Sequence, residues 1–181
     1  MPAHRPSPRT ASSSPAGYST TPLVKKLGIK PGDVVALYGA PDHYLALLGE
    51  LPEGATTRDG GSGAVPFAHF FTASRAALQK ALPKLAKVVF PDGMLWVSWP
   101  KKGGRMHLTK QRSTVRDAGE LPIVASQVMR PTDGVSGDDV LDETGVRELV
   151  LPTVLVDVKV CAIDADWSGH KFVWRKELRG K

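Results

Sequence analysis

The residues with most potential for ligand chemistry lie in the turn Tyr38-Gly39-Ala40-Pro41-Asp42-His43, where an apolar strand runs into a helix. A dinucleotide-binding turn of this kind takes glycine at three positions: for the tight turn, for close approach of backbone to ligand, and for packing of helix on sheet. Here those points carry Gly39, Pro41 and His43, so the fingerprint keeps one glycine. Asp42 and His43 stand where free backbone N–H groups receive an anion, and His43 adds positive charge at low pH. They read equally as a helix-end charge and a surface residue. Asp59 follows Gly39 by 20 residues, near the spacing at which a carboxylate holds a ribose hydroxyl, and it also fits a glycine-rich turn. Lys101 and Lys102 leave a strand together and offer point charges to a phosphate or carboxylate, or simply a solvated pair. Trp99 and Trp167, at strand ends, suit stacking on a flat ligand as well as core packing.

Other chemistries find less support. His69 sits inside an aromatic strand and reads as a hydrogen-bonded core histidine, and Cys161 as a small hydrophobe in a strand. No Cys or His set has metal-ligand spacing. Ser98 lacks the flanking glycines of a nucleophile elbow, and no Ser-His-Asp grouping emerges. Cys161 is the single cysteine, so no intramolecular disulfide forms, and a reducing compartment, the cytoplasm, is expected. No apolar run approaches the roughly 18 residues of a membrane span, and residues 1–17 lack a signal-peptide core.

The formal charge of +6 suggests polyanion binding until it is divided along the chain. Residues 1–30 hold five basic groups and no acids, and residues 101–137 hold seven against three. Residues 31–100 hold five against six, and 138–181 seven against nine. Basicity thus belongs to a tail and one long segment, where it predicts weak, salt-sensitive polyanion contact, while the segments with folding patterns are slightly acidic and carry no such footprint.

Positioning these residues requires a scaffold, and the hydrophobic pattern outlines one. Residues 1–17, with four prolines, have the composition of a disordered basic tail. A single domain is expected over 18–181. Thr20 or Thr21 caps a short helix with Pro22 first and Gly28 ending it. Val34–Tyr38 is apolar on both faces, as in a covered parallel strand, and Pro41 opens a helix to Leu48. Ala55–Asp59 reads as a strand, Gly60–Gly63 as a flexible loop, and Val65–Phe71 as a third strand. Thr72 or Ser74 then caps a helix through Val88 that Pro83 kinks, followed by a strand at Met94–Trp99. Periodicity dissolves across 103–137, an insertion too long for an ordinary connection. Asp138 or Asp142 caps a helix to Val150, supported by a Glu143–Arg147 pair at i,i+4, and strands at Val154–Ala162 and Gly169–Arg175 pair antiparallel around an Asp164-Ala165-Asp166 turn. This order describes a three-layer, Rossmann-like α/β sandwich resembling a shortened class I methyltransferase fold with a C-terminal antiparallel hairpin.

Several strings together resemble the bacterial domain-of-unknown-function family 3052. They are Gly17-Tyr18-Ser19, the run from Thr21 to Gly32, Gly39-Ala40-Pro41-Asp42, Leu95 to Lys102, Leu155 to Cys161, and Trp167-Ser168-Gly169. The resemblance covers about residues 17–102 and 138–176 and lends no activity. The chain departs from the pattern after Lys102, with roughly thirty extra residues. Two readings follow. The first is a non-catalytic module on a degenerate methyltransferase-like scaffold, working through an unknown protein partner or small anionic ligand. The second is an S-adenosylmethionine- or nucleotide-binding enzyme using the crevice at Gly39, Asp59 and Lys101.

Overall fold

The computed structural model describes residues 21–102 and 137–179. The basic tail, with its expected polyanion contact, and all of the insertion except Gly137 lie outside the described residues.

Strand β1 (Val34–Tyr38) is buried through its middle and lies between β2 (Thr56–Asp59) and β3 (Phe67–Phe71), parallel to both. β4 (Met94–Pro100) extends the parallel set beside β3. β5 (Leu155–Ala162) and β6 (Trp167–Trp174) form the closing hairpin, with β6 antiparallel to β4, giving the order β2-β1-β3-β4-β6-β5. Parallel strands followed by an antiparallel hairpin are the shortened class I methyltransferase layout expected from the sequence.

Strand alternation sends side chains to two cores. On one face Val35, Phe67, Trp96 and Trp167 pack beneath α1 (Leu23–Leu27) and α2 (Tyr44–Leu48). On the other, Ala68, Leu95, Val97 and Phe172 meet α3 (Arg75–Val88) and α4 (Glu143–Val150). The central strands are therefore apolar nearly throughout, each large side chain so buried being worth about 1.5–3 kcal/mol.

Local signals set the helix ends. Ser74 caps α3 by accepting from the Ala77 N–H at 3.0 Å, and Asp142 caps α4 by accepting from the Gly145 N–H at 2.8 Å. Gly28 ends α1 at φ +83°, where side chains other than glycine are strained. Several expectations are corrected. Pro22 is the N-cap of α1 rather than its first helical residue. Pro41–His43 is a turn and α2 begins at Tyr44, because helical spacing from there buries both Tyr44 and Leu48. As expected, α3 runs to Val88 with Pro83 inside it, the proline lying on the exposed face. Arg147 pairs with Asp157 at 3.1 Å rather than with Glu143.

Among the described residues no helix is long and apolar enough to cross a membrane.

Candidate functional site

The chain leaves β1 toward β2 on one side and returns through β3 on the other. This reversal is a topological switch point, and beyond the carboxyl ends of the strands at such a point α/β sheets hold ligands in a crevice. Gly39 is exposed there at φ +67°, and a Cβ on it would stand 3.0 Å from the Phe71 carbonyl oxygen. Both the backbone conformation and the space thus require glycine. Asp59 pairs in register with Leu37, and the Gly60 N–H donates to the Leu37 carbonyl at 2.6 Å. The exposed Asp59 carboxylate has no hydrogen bond or ion pair among the described residues. The Gly60–Gly63 loop, expected to be flexible, is fastened at two carbonyls: the Tyr38 hydroxyl donates to Gly61 at 2.8 Å and the Arg58 Nη2 to Gly63 at 2.8 Å.

Beyond the end of β4, residues far apart in sequence converge on Asp164. Its Oδ2 lies 2.7 Å from His43 Nε2, and its Oδ1 accepts from the N–H groups of Asp166 and Trp167, each at 2.7 Å. Lys101 Nζ donates to the Asp164 carbonyl at 2.7 Å, and the Lys101 N–H donates to Asp166 at 2.7 Å. Asp164 therefore shapes the β5–β6 turn, orients His43 and ties the end of β4 to both. The His43 side chain is 41% exposed and that of Asp164 12%. Such a pair holds the imidazole by one nitrogen and leaves Nδ1 toward its surroundings.

Beneath α2 a second polar group is fully buried. The Tyr44 hydroxyl is 2.6 Å from His69 Nδ1, and His69 Nε2 is 2.7 Å from Ser98 Oγ. A neutral ring in either tautomer satisfies both contacts, one nitrogen donating and the other accepting. Burial lowers the His69 pKa from 6.5 to about 3 and is the main cause that raises that of Tyr44 well above its usual value. His69 is thus the hydrogen-bonded core histidine expected. Its bonds fix α2, and hence His43, to β3 and β4.

Of the residues singled out from the sequence, Gly39 and Asp59 flank the switch point, and Asp42 is exposed in the turn beside them. His43 and Lys101 meet at Asp164, and Lys102 is exposed beyond. Two expectations are corrected. Trp99 is 5% exposed in the core under α3 and α4, where strand alternation carries it off the ligand side, so it offers no stacking face. Lys101 does not range freely: its ammonium donates to the Asp164 carbonyl, which holds it in place while it keeps its charge. Trp167, buried against Phe71, is likewise core. Asp164 was legible only as a turn residue. Its spacing before Trp167 marks the Asx-type turn, but nothing local signals His43, 121 residues away.

The fold and crevice together define a methyltransferase-like α/β scaffold, resting on strand order and direction. No family model matches the chain, and no curated protein matches it significantly. Among solved structures, it is similar to a SAM dependent methyltransferase from Aquifex aeolicus at 15% identity, covering 83% of this chain and 86% of that one with a TM-score of 0.48. It is also similar to the DhpI–SAH complex at 9% identity, covering 86% and 83% with a TM-score of 0.49.

Proposed function

We propose that this protein binds a nucleoside-type ligand, S-adenosylmethionine or a nucleotide, in the crevice between β1 and β3. The uncommitted Asp59 carboxylate beside Gly39 carries this reading. Gly39 admits the ligand against the backbone, Asp59 accepts from ribose hydroxyls, and the His43–Asp164 pair bounds the opposite side. An imidazole held by a carboxylate can accept a proton through its other nitrogen, so His43 is the residue that would serve a methyl-transfer step from such a ligand. The reading keeps the chain with the domain-of-unknown-function family 3052 on its shared strings, and assigns it to the cytoplasm on its single cysteine.

A non-catalytic, partner-binding module is the second reading. It is favoured by the tethering of Lys101 to a backbone carbonyl and the burial of Trp99, which take a free-standing cation and a stacking face away from the crevice. Calorimetry and thermal unfolding with S-adenosylmethionine, S-adenosylhomocysteine and ATP separate the two. A ligand at a hundred times its Kd stabilises the native state by about 2.7 kcal/mol, and D59N is expected to weaken binding about tenfold through loss of charged hydrogen bonds. Absence of heat and of thermal shift with all three ligands overturns the first reading in favour of the second.

A further inference from the structure

The β5–β6 hairpin sets two lysines directly opposite each other, Lys159 and Lys171. Regular pairing would not do so. Asp157 faces Phe172, and continuing that register would bring Lys159 to His170. The irregularity between Asp157 and Lys159 moves Lys159 to Lys171 instead, onto the α1 face of the sheet. Directly opposed like charges destabilise a strand pair, so the arrangement works against the fold unless something answers it.

The surroundings add more positive charge. Lys159 Nζ donates to the Lys26 carbonyl at 2.5 Å and lies 5.8 Å from the Trp96 ring centroid. Lys171 Nζ stands 3.7 Å from where a Cβ on Gly28 would lie, at the carboxyl end of α1. Among the described residues, Lys26, Lys30, Lys159 and Lys171 form no ion pair with a carboxylate. Cys161, which feels Lys159 and Lys26, is kept in its neutral thiol form by burial. A helix carboxyl end supplies at most about half a negative charge, and α1 is only five residues long. The Asp33 carboxylate, which accepts from the Lys30 N–H at 2.8 Å, is a nearby acid, so among the described residues the cluster keeps an excess of positive charge. Consistent with this, burial and then the charges of Lys159 and Lys30 lower the Lys171 pKa.

We propose that Lys159 and Lys171, beside the end of α1, form a binding site for the phosphate group of a small ligand. Its oxyanion supplies the missing countercharge between the opposed ammonium groups. The site is separate from the crevice: Lys171 pairs with Trp96, four residues before β4 ends at Pro100.

The test is a two-dimensional amide NMR titration of the full chain with inorganic phosphate and, separately, glycerol phosphate, against chloride at equal ionic strength. Saturable shifts at Gly28, Lys159 and Lys171 with a Kd of order 1 mM are expected, and tighter binding of the ester identifies a phosphorylated organic ligand over free phosphate. The double variant K159M/K171M is expected to bind about tenfold more weakly. K171M should unfold at a higher temperature than the unchanged protein in chloride and gain nothing from phosphate. Shifts that do not saturate, or that persist unchanged in the double variant, overturn the proposal. So does a lower melting temperature for K171M in chloride, which would make the lysine a helix-end cation only. If the variants fail to fold, the titration of the unchanged protein decides alone.

Discussion

Replacing His69 with leucine is expected to lower the unfolding free energy by about 3 kcal/mol, since it orphans two buried hydroxyls at once, each costing about 1–3 kcal/mol. Among the described residues Tyr44 and Ser98 lose the one side chain that hydrogen-bonds to each, and both are fully buried. Tyr44→Phe, which leaves the His69–Ser98 bond in place, should cost less, about 1–2 kcal/mol. Urea denaturation provides both values, and a leucine variant as stable as the original would show that the network contributes nothing. The same histidine gives the fold a defined acid sensitivity. The unfolded chain takes up its proton near pH 6.5 and the folded protein only near pH 3. Stability from the neutral ring is thus fully present above pH 6.5 and is lost as pH falls toward 3, at up to about 1.4 kcal/mol per pH unit. His170, 1% exposed and shifted downward mainly by burial, acts in the same direction. Between pH 6 and 4 the H69L variant should therefore show a shallower pH slope than the unchanged protein. An equal slope would mean that other groups set it.

Gly93→Ala should be comparably damaging for a different reason. A Cβ there would lie 2.5 Å from the Val65 carbonyl oxygen, 2.9 Å from that of Val89 and 3.0 Å from the Val89 Cα. All three are main-chain atoms, so no rotamer change relieves the overlap, and the turn into β4 must separate from the end of α3 and from the segment entering β3. Overpacking of this kind costs about 1–3 kcal/mol or more. For a chain of this size that lowers the melting temperature by about 2–4 °C for each kcal/mol. Gly137→Ala, with nothing within 4 Å among the described residues and no positive φ, is the matched control. Equal melting temperatures for the two variants would contradict this packing.

The fold was largely legible because its strands are short apolar runs with unmistakable turns between them. Val34–Tyr38 could be placed to the residue, and Ser74 and Asp142 were each one of two named caps. The start of α2 was misplaced because proline at a first helical turn is a local preference. Burial of Tyr44 against His69, a contact across 25 residues, overrides it. The crevice was half legible. Gly39 and Asp59 follow from strand ends, whereas Asp164 gathers His43 and Lys101 through contacts that exist only once the hairpin has folded back. The lysine cluster was hidden by averaging. Segment charge counts make the folded part acidic, yet Lys26 and Lys159, 133 residues apart, stand together.

The irregularity in β5 also governs how this sheet ends. β5 is the outer strand, with Val158 52% and Val160 41% exposed in an eight-residue run that alternates valine with charge. A straight edge of that composition is a template on which a second chain's strand can grow, and repeated addition leads to aggregation. The extra residue at Asp157–Lys159 interrupts the outward row of donors and acceptors, so an incoming strand cannot stay in register along its length. At the opposite margin, β2 is only four residues long. Each border of the sheet is thus too short or too irregular to propagate, which guards the folded chain against edge-to-edge self-association.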